Sequence, residues 1–298
     1  MKKRLAGAAV VVGAVVAGGL FLASSAKHID SASLPVHVAD VANGELLYHI
    51  GGCISCHHPA EDSGADMALP SGGASLVTPI GTLYPPNITP DPATGIGAWS
   101  DAQFVDALKN GVSPKGEHYI PAFPYISYGR MKVEDLLDVR AYLNTLPVVS
   151  AAAKPADIPF AWVTRRGLGL WKYLAVLPPV EADATQSASW NRGAYLVNGP
   201  GHCAECHTPR NAFKVMDQAR AFAGGPHPEG RGKVPSLIDL IGRKKYADTD
   251  ELASALKEGE EGYFEGLAKG GMGDVQGNIS KLPDADIHAI AEYLSSLK

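Results

Sequence analysis

The chain has 298 residues, of which 46% are hydrophobic and 19% are charged, and its formal net charge is −5. This balance predicts a globular protein long enough for two domains and excludes a disordered or repetitive polymer. The acidic balance argues against nucleic acid as a partner and is compatible with docking to a basic patch on another protein.

The N-terminal residues 1–30 form a segment of their own. Three basic residues at positions 2–4 precede an uncharged, mostly apolar run from Leu5 to Ala23, which at helical rise is nearly long enough to cross a bilayer core. Small residues directly after the run offer a cleavage site, whereas its length favours a retained anchor over residues 5–23. We therefore expect a signal peptide or a membrane anchor, with the positive end in the cytoplasm and the remainder exported.

One five-residue pattern, C-x-x-C-H, occurs twice and uses every cysteine of the chain. It is the attachment signature of a c-type haem, in which two thiols form thioethers to the porphyrin and the histidine ligates the iron. The residues concerned are Cys53, Cys56 and His57 in the first copy and Cys203, Cys206 and His207 in the second. We therefore expect two covalently bound haem c groups, since a single zinc site fits two such distant pairs less well. Bacteria attach haem c outside the cytoplasmic membrane, so this interpretation places the chain on the periplasmic side of the inner membrane.

The two halves of the chain are similar beyond the cysteines. Cys203 follows Cys53 by 150 residues, and Tyr293 follows Tyr142 by 151, near the end of an amphipathic helix predicted in each half. Such nearly equal offsets indicate a duplicated domain in a mainly α fold. The predicted units are domain 1 over residues 38–148, a linker rich in proline and aromatic residues over 149–188, and domain 2 over 189–298.

Helix caps are also repeated between the halves. Ser100 and Gln103 form a capping-box pattern ahead of a helix that we expect to stop at Gly111. In the second half, Asp248 is the expected cap and Gly259 the expected stop.

The linker carries aromatic residues around Arg165 and Arg166. We favour an ordered linker that packs across both domains, because buried aromatic residues usually belong to a core. The alternative is a contact with a membrane surface or a partner, which arginines beside exposed aromatic residues would suit.

The second axial ligand of each iron decides whether a haem transfers electrons or binds small molecules. Met272 lies between glycines, 65 residues after His207, in an expected loop before the last helix. We assign Met272 to the second haem, the alternative being a methionine that fills a gap in the core.

The matching segment of the first half, residues 119–125, contains Phe123 and no methionine. The candidates for the first haem are therefore Met131, His118 or no protein ligand. We favour Met131, because thioether–histidine pairs are usual in electron transfer. Two other methionines, Met67 and Met216, follow too closely after their haem motifs and are expected to be packing residues.

From Asn43 to its C-terminus the chain resembles the class I-like cytochrome c subunits that accompany bacterial periplasmic dehydrogenases for alcohols, aldehydes, gluconate or nicotinate. The most specific stretches are 84–91, 95–100, 119–125 and 201–211. The resemblance implies two tandem class I cytochrome c domains and transfer of electrons from an enzyme subunit towards quinone or an oxidase. Some members of this family have methionine at the position of Phe123, and others keep a methionine that matches Met131. Some members carry three haems, whereas this chain has two haem motifs.

Three further residues are candidates for contacts to the haems. We expect Asn87, Trp99 and Arg210 to hydrogen-bond propionates or to frame the porphyrin. For Asn87 and Trp99 the alternatives are turn chemistry and core packing.

The leading hypothesis is a dihaem electron carrier that passes single electrons from a periplasmic dehydrogenase to quinone, an oxidase or another cytochrome, with no catalytic residues of its own. One alternative is a dihaem enzyme with one open haem, of the peroxidase or thiosulfate dehydrogenase type. Another is the dihaem subunit of a haem–copper oxidase.

Overall fold

The computed structural model describes residues 2–228, 232–259 and 271–298, and its architecture is mainly helical, as predicted. The first helices are α1 Lys2–Ala23, α2 Val41–Ile50, α3 Cys53–His57, α4 Asp101–Asn110, α5 Tyr125–Tyr128 and α6 Val133–Leu143. They are followed by α7 Ala161–Ala175, α8 Ala188–Asn198, α9 Ala204–His207, α10 Thr249–Glu258, α11 Met272–Ile279 and α12 Asp284–Ser296. Two small antiparallel pairs add β1 Leu76–Thr78 with β2 Gly81–Leu83, and β3 Gly225–Pro226 with β4 Lys233–Val234.

Each half is built on one close crossing of two helices. In the first half α2 crosses α6, and a Cβ placed on Gly44 would lie 2.0 Å from the carbonyl oxygen of Asp138. In the second half α8 crosses α12, and a Cβ on Gly193 would lie 1.9 Å from the carbonyl oxygen of Ala289. Only glycine allows backbones to approach so closely. The repeated crossing supports the duplication that the spacing of the haem motifs predicts.

The buried carboxylate of Asp138 joins the start of α2 to α6. It accepts hydrogen bonds from the backbone N–H of Asp40 at 2.7 Å and from Asn43 Nδ2 at 2.8 Å. A buried carboxylate that receives several donors holds its surroundings in one arrangement. The α2 helix, which leads into the first haem motif, is thereby anchored at its beginning.

Both predicted helix caps are confirmed. The Ser100 side chain accepts from the Gln103 N–H, the Gln103 side chain accepts from the Ser100 N–H, and α4 is followed by Gly111 in the left-handed region at φ 58°. The side chain of Asp248 caps α10, which is followed by Gly259.

The predicted N-terminal segment forms α1. Within the described residues, no helix combines the length and apolar character that crossing a membrane requires. The expected transmembrane anchor over residues 5–23 is not confirmed.

The linker is ordered and contacts both domains, as the favoured interpretation expects. Lys172 of α7 donates to the carbonyl oxygens of Asn110 at 2.5 Å and Gly111 at 2.9 Å, both in the first half. Trp171 Nε1 donates to the carbonyl oxygen of Phe213 at 2.8 Å in the second half. The linker thus joins the two halves instead of merely spacing them apart.

Candidate haem-binding sites

A tight turn leads from a long helix into each haem motif. In the first half α2 ends at Ile50, and Gly52, with φ 61°, turns the chain into α3. The equivalent residue in the second half is His202, which adopts φ 40° immediately before Cys203. A positive φ is uncommon for any residue other than glycine. The same turn is therefore kept in both halves, although only one of them has glycine there.

The imidazole of each motif is oriented by a proline carbonyl. His57 Nδ1 lies 2.7 Å from the carbonyl oxygen of Pro86, and His207 Nδ1 lies 2.8 Å from that of Pro235. A carbonyl oxygen can only accept, so Nδ1 carries the proton and Nε2 keeps the lone pair that binds iron. Each histidine is thus held in the tautomer that an axial ligand requires.

The protonation states of the motifs agree with this chemistry. Burial lowers the pKa of His57 and of His207, which keeps both imidazoles neutral. Burial also raises the pKa of Cys53 and Cys203 to about 12. Paired thiols beside a neutral, oriented imidazole form a donor set that fits a covalently attached haem.

The two haem motifs approach each other across the contact between the halves. Asn278 Nδ2 of the second half donates to Ser55 Oγ, inside the first motif, at 2.8 Å. A Cβ placed on Gly52 would lie 4.0 Å from His202 Nε2, so the residues directly preceding the two motifs are neighbours. Ser127 Oγ also donates to Glu205 Oε1, inside the second motif, at 3.0 Å. The duplicated sequence pattern does not by itself predict this contact between the two haem motifs.

The model of the cytochrome c family matches residues 41–147 and 191–298, which together contain both motifs. The chain belongs to the cytochrome c family. As a cytochrome c with two repeats it carries two haem c groups, which confirms the predicted cofactors and the two tandem cytochrome c domains.

Similar proteins include a dihaem c-type cytochrome of Cereibacter sphaeroides, which is 40% identical over 294 residues that cover 99% of this chain and 98% of the relative. The chain is 34% identical to the fructose dehydrogenase cytochrome subunit of Gluconobacter japonicus and 36% identical to the cytochrome c subunit of a quinone alcohol dehydrogenase from Gluconacetobacter polyoxogenes. These matches cover 88% and 86% of the chain but only 53% and 56% of the relatives. The resemblance to cytochrome subunits of dehydrogenases is thereby confirmed.

The methionines of this cytochrome differ in their surroundings. Met131, directly before the cap of α6, is 3% exposed and lies at the contact between the halves, where a Cβ on Gly199 would be 3.4 Å from its Cγ. Met272 is the half-buried first residue of α11, so the expectation of a loop at this position was wrong. Met216 is buried, as a packing residue should be, whereas Met67 is 43% exposed and is not packed as expected.

His118, the other candidate ligand of the first haem, has protein partners on both ring nitrogens. Its Nε2 lies 3.0 Å from the carbonyl oxygen of Ser24, and its Nδ1 lies 2.9 Å from Lys172 Nζ. Nε2 is therefore the protonated nitrogen, and Nδ1 accepts from the ammonium group. Burial and the nearby Lys172 charge lower the pKa of His118. The residue joins three segments of the chain and has no nitrogen left for iron in this arrangement.

Phe123, in the segment that matches the surroundings of Met272 in the repeat, belongs to an aromatic cluster. Its ring lies edge-on to Tyr119 and Tyr128, with centroid distances of 5.8 and 5.6 Å. Tyr128 in turn donates to the carbonyl oxygen of Gly51 at 2.6 Å and lies edge-on to His202. Packing against the entrance of the first motif explains an aromatic residue here.

The three residues expected beside the haems make contacts within the protein. Asn87 is buried, and its side chain accepts from the Thr89 N–H at 2.9 Å, which is the turn chemistry expected as its alternative role. It also donates to the carbonyl oxygen of Val149 at 2.6 Å, a contact between distant parts of the chain. Trp99 packs against the core. Arg210 forms an ion pair of 2.7 Å with Glu205, inside the second motif.

Sequence reasoning missed the prolines that orient the histidines of the haem motifs. Pro86 lies 29 residues after its histidine and Pro235 lies 28 residues after, each on a loop. The similar spacing in the two repeats is the signal that could have identified them. Backbone acceptors are otherwise hard to find from sequence, because every residue supplies a carbonyl oxygen.

Proposed function

We propose that this cytochrome c is a dihaem electron carrier that passes single electrons from the catalytic subunit of a dehydrogenase to a further redox partner. The observation that carries the proposal is the meeting of two haem motifs, in which Gly52 faces His202 and Ser55 accepts from Asn278. Haem groups attached at adjoining motifs would lie near each other, which favours electron transfer between the two haems of one chain.

In this proposal the first haem is attached by Cys53 and Cys56, with His57 and Met131 as axial ligands. The second is attached by Cys203 and Cys206, with His207 and Met272 as axial ligands. Each haem, when bound, supplies an iron that alternates between the ferric and ferrous states. The burial of Met131 and the engagement of both His118 nitrogens support the choice of Met131.

The protein contributes orientation and a stable spacing between the motifs. The carbonyl oxygens of Pro86 and Pro235 hold the two imidazoles and leave each Nε2 available to iron. Hydrogen bonds from Ser127 to Glu205 and from Asn278 to Ser55 keep the halves in register. A rigid surrounding of this kind reduces the reorganisation that accompanies a change of iron charge.

The catalytic subunit of a dehydrogenase is the proposed electron donor. Relatives of the chain include a protein of a nicotinate dehydrogenase and the cytochrome subunits of fructose, alcohol and gluconate dehydrogenases. The substrate belongs to that partner, and the proposed acceptor is quinone, an oxidase or another cytochrome. The formal net charge of −5 suits docking to a basic patch.

The proposed location is the periplasmic side of the bacterial inner membrane, where haem c is attached. The basic residues at 2–4 and the apolar run that ends at Ala23 are the export signal in this proposal. N-terminal sequencing of the mature protein determines whether the signal is removed.

The donor is tested in extracts of cells that make the chain, compared with cells in which its gene is deleted. Alcohols, fructose, gluconate and nicotinate are added separately, and the visible absorption of ferrous haem c is followed. We expect one substrate class to reduce both haems, and the deletion to abolish that signal. Failure of every substrate, together with consumption of peroxide by the purified chain, would favour the dihaem enzyme instead.

A further inference from the structure

The contact between the two halves is nearly symmetric. Ser55 and Glu205 are the middle residues of the two haem motifs, and they are 150 residues apart. Ser127 and Asn278, the side chains that donate to them, are 151 residues apart. The middle of each motif is therefore bound by the equivalent residue of the other half. Two copies of one domain that exchange the same contact in both directions pack like the subunits of a twofold dimer.

The residues directly before the motifs agree with this arrangement. Gly52 and His202 are equivalent in the duplication, and a Cβ placed on Gly52 would lie 4.0 Å from His202 Nε2. A residue that meets its own counterpart lies near the twofold axis. In a fully symmetric protein, the two haem motifs would therefore have the same surroundings.

Charge breaks this symmetry. In the first motif the contact is neutral, because Asn278 Nδ2 donates to the hydroxyl oxygen of Ser55 at 2.8 Å. In the second motif the acceptor is a carboxylate, since Ser127 Oγ donates to Glu205 Oε1 at 3.0 Å. Glu205 and Ser127 are both buried. Water screens a buried charge much less than an exposed one, so this carboxylate acts strongly on its neighbours.

Arg210 fixes the position of the carboxylate. Its Nη2 lies 2.7 Å from Glu205 Oε2 and donates to the carbonyl oxygen of Glu205 at 3.1 Å. An arginine bonded in this way to a carboxylate forms an ion pair, so a negative charge is held inside the second motif. The first half has Ala60 at the position equivalent to Arg210 and therefore lacks both members of the pair.

A fixed negative charge favours the ferric form of a nearby haem, because ferric iron carries one more positive charge than ferrous iron. Glu205 lies between Cys203 and Cys206, which attach the second haem, so its charge acts most strongly on that haem. It also reaches the first half, where burial is the main cause of the raised pKa of Tyr125 and the Glu205 charge adds to it.

We propose that Glu205 sets the two haems apart, because its carboxylate lowers the reduction potential of the second haem more than that of the first. This inference rests on the proposed electron carrier and adds a positioning residue to it. The lower potential favours passage of the electron from the second haem to the first.

The test is a redox titration of the purified holoprotein, followed in the visible and the near infrared. Glu205→Gln removes the charge and keeps an oxygen that can accept from Ser127. We expect it to favour the ferrous form of one haem by about tenfold, which corresponds to a rise of about 59 mV for one electron, and that of the other haem by less. Glu205→Asp keeps the charge and should stay close to the wild type, a difference that a merely structural role does not predict.

The converse variant is Ser55→Glu, which places a carboxylate in the middle of the first motif. We expect it to lower the potential of the other haem, the one that Glu205→Gln changes less. The matched control Asp286→Asn breaks an ion pair of 2.8 Å with Arg192 on α8 and α12, outside both motifs, and should leave both potentials close to those of the wild type. Circular dichroism verifies that each variant is folded, and the two Glu205 variants decide the question if Ser55→Glu does not fold.

Two results would overturn the role of Glu205. One is a Glu205→Gln titration identical to that of the wild type, and the other is a change in the same haem by Glu205→Gln and by Ser55→Glu. Failure of the proposed function has a different signature, because a high-spin haem that reacts with peroxide would then be present already in the wild-type protein.

Discussion

At the scale of single residues, one backbone carbonyl oxygen of a proline is enough to orient each histidine of the haem motifs as an iron ligand. One acceptor on Nδ1 decides the tautomer of His57 and of His207 and fixes the direction of each ring. Burial then keeps both rings neutral, since it lowers the pKa of each. Neither effect needs a charged partner beside the haem.

The assignment of Met131 can be tested by replacing it with leucine, which conserves most of the volume of this buried side chain. We expect one of the two haems to become high-spin and its reduction potential to fall, because a thioether ligand raises the potential. The measurement is the near-infrared thioether–iron charge-transfer band, combined with a redox titration. Met272→Leu should remove the band of the other haem.

The matched controls for this substitution are Met67→Leu, at an exposed site, and Met216→Leu, at a buried one. Both should leave the two bands intact. If Met131→Leu also leaves both bands unchanged, Met131 is not a ligand and the first haem must be assigned again.

Lys172 predicts a dependence of stability on pH. Burial lowers the pKa of its ammonium group to about 8 from its ordinary value of 10.5. Between these values the folded chain releases the proton first, the unfolded chain binds more protons, and the free energy of unfolding rises with pH. Below pH 8 both states are charged and the cost of burying the charge is present in full.

Urea unfolding at about pH 7 and about pH 9.5 measures this effect. We expect Lys172→Met to reduce the rise in unfolding free energy by about 1 kcal/mol, after discounting for the partial exposure of the side chain. The exposed Lys154 provides the control Lys154→Met, which should retain the rise of the wild type. An identical rise in the Lys172 variant would show that this group does not titrate as described.

At the scale of helices, the close crossings predict that both halves are intolerant of a single methyl group. Gly44→Ala and Gly193→Ala would each place a Cβ about 2 Å from a backbone carbonyl oxygen. We expect each to destabilise its own half by about 1–3 kcal/mol, measured by urea unfolding, because packed helices must separate to admit the side chain. Gly277→Ala in α11 is the control, since nothing lies within 4 Å of its Cβ position. Equal stabilities of the three variants would show that the crossings are not tightly packed.

Hydrophobic periodicity and capping residues predicted several helices. Two helices, α11 at Met272 and α7 in the linker, were not predicted. Met272 was expected in a loop because flanking glycines lower helix propensity. The helix forms nevertheless, and it is held from outside by bonds from Gln276 to the Lys257 carbonyl oxygen and from Asn278 to Ser55. The linker contains α7, in which Val163 and Leu174 are exposed while Ala175 is buried in the core, so the periodicity of its apolar residues does not mark a single buried face.

Sequence patterns also predicted the cysteines and histidines of both haem motifs, because the chemistry of attachment dictates their spacing. The contact between the motifs could not be found in this way. Ser55 and Asn278 are 223 residues apart and are joined by a single hydrogen bond between common polar side chains. Only the packing of the two halves brings them together.

At the scale of the whole molecule, two similar halves meet at their haem motifs but differ around them. The first half has Phe123 within an aromatic cluster and buries Met131 at the contact with the second half. The second half places Met272 at the start of α11. We expect these different surroundings to give the two haems different reduction potentials, and such a difference would give the electron a direction.

The central claim, a carrier with two closed haems, is tested most directly by a spectroelectrochemical titration of the purified holoprotein, followed in the visible and the near infrared. We predict two one-electron steps at different potentials, a thioether–iron band from each ferric haem, and no reaction with peroxide. A persistent high-spin ferric haem that consumes peroxide would contradict this account and identify an enzyme with one open haem.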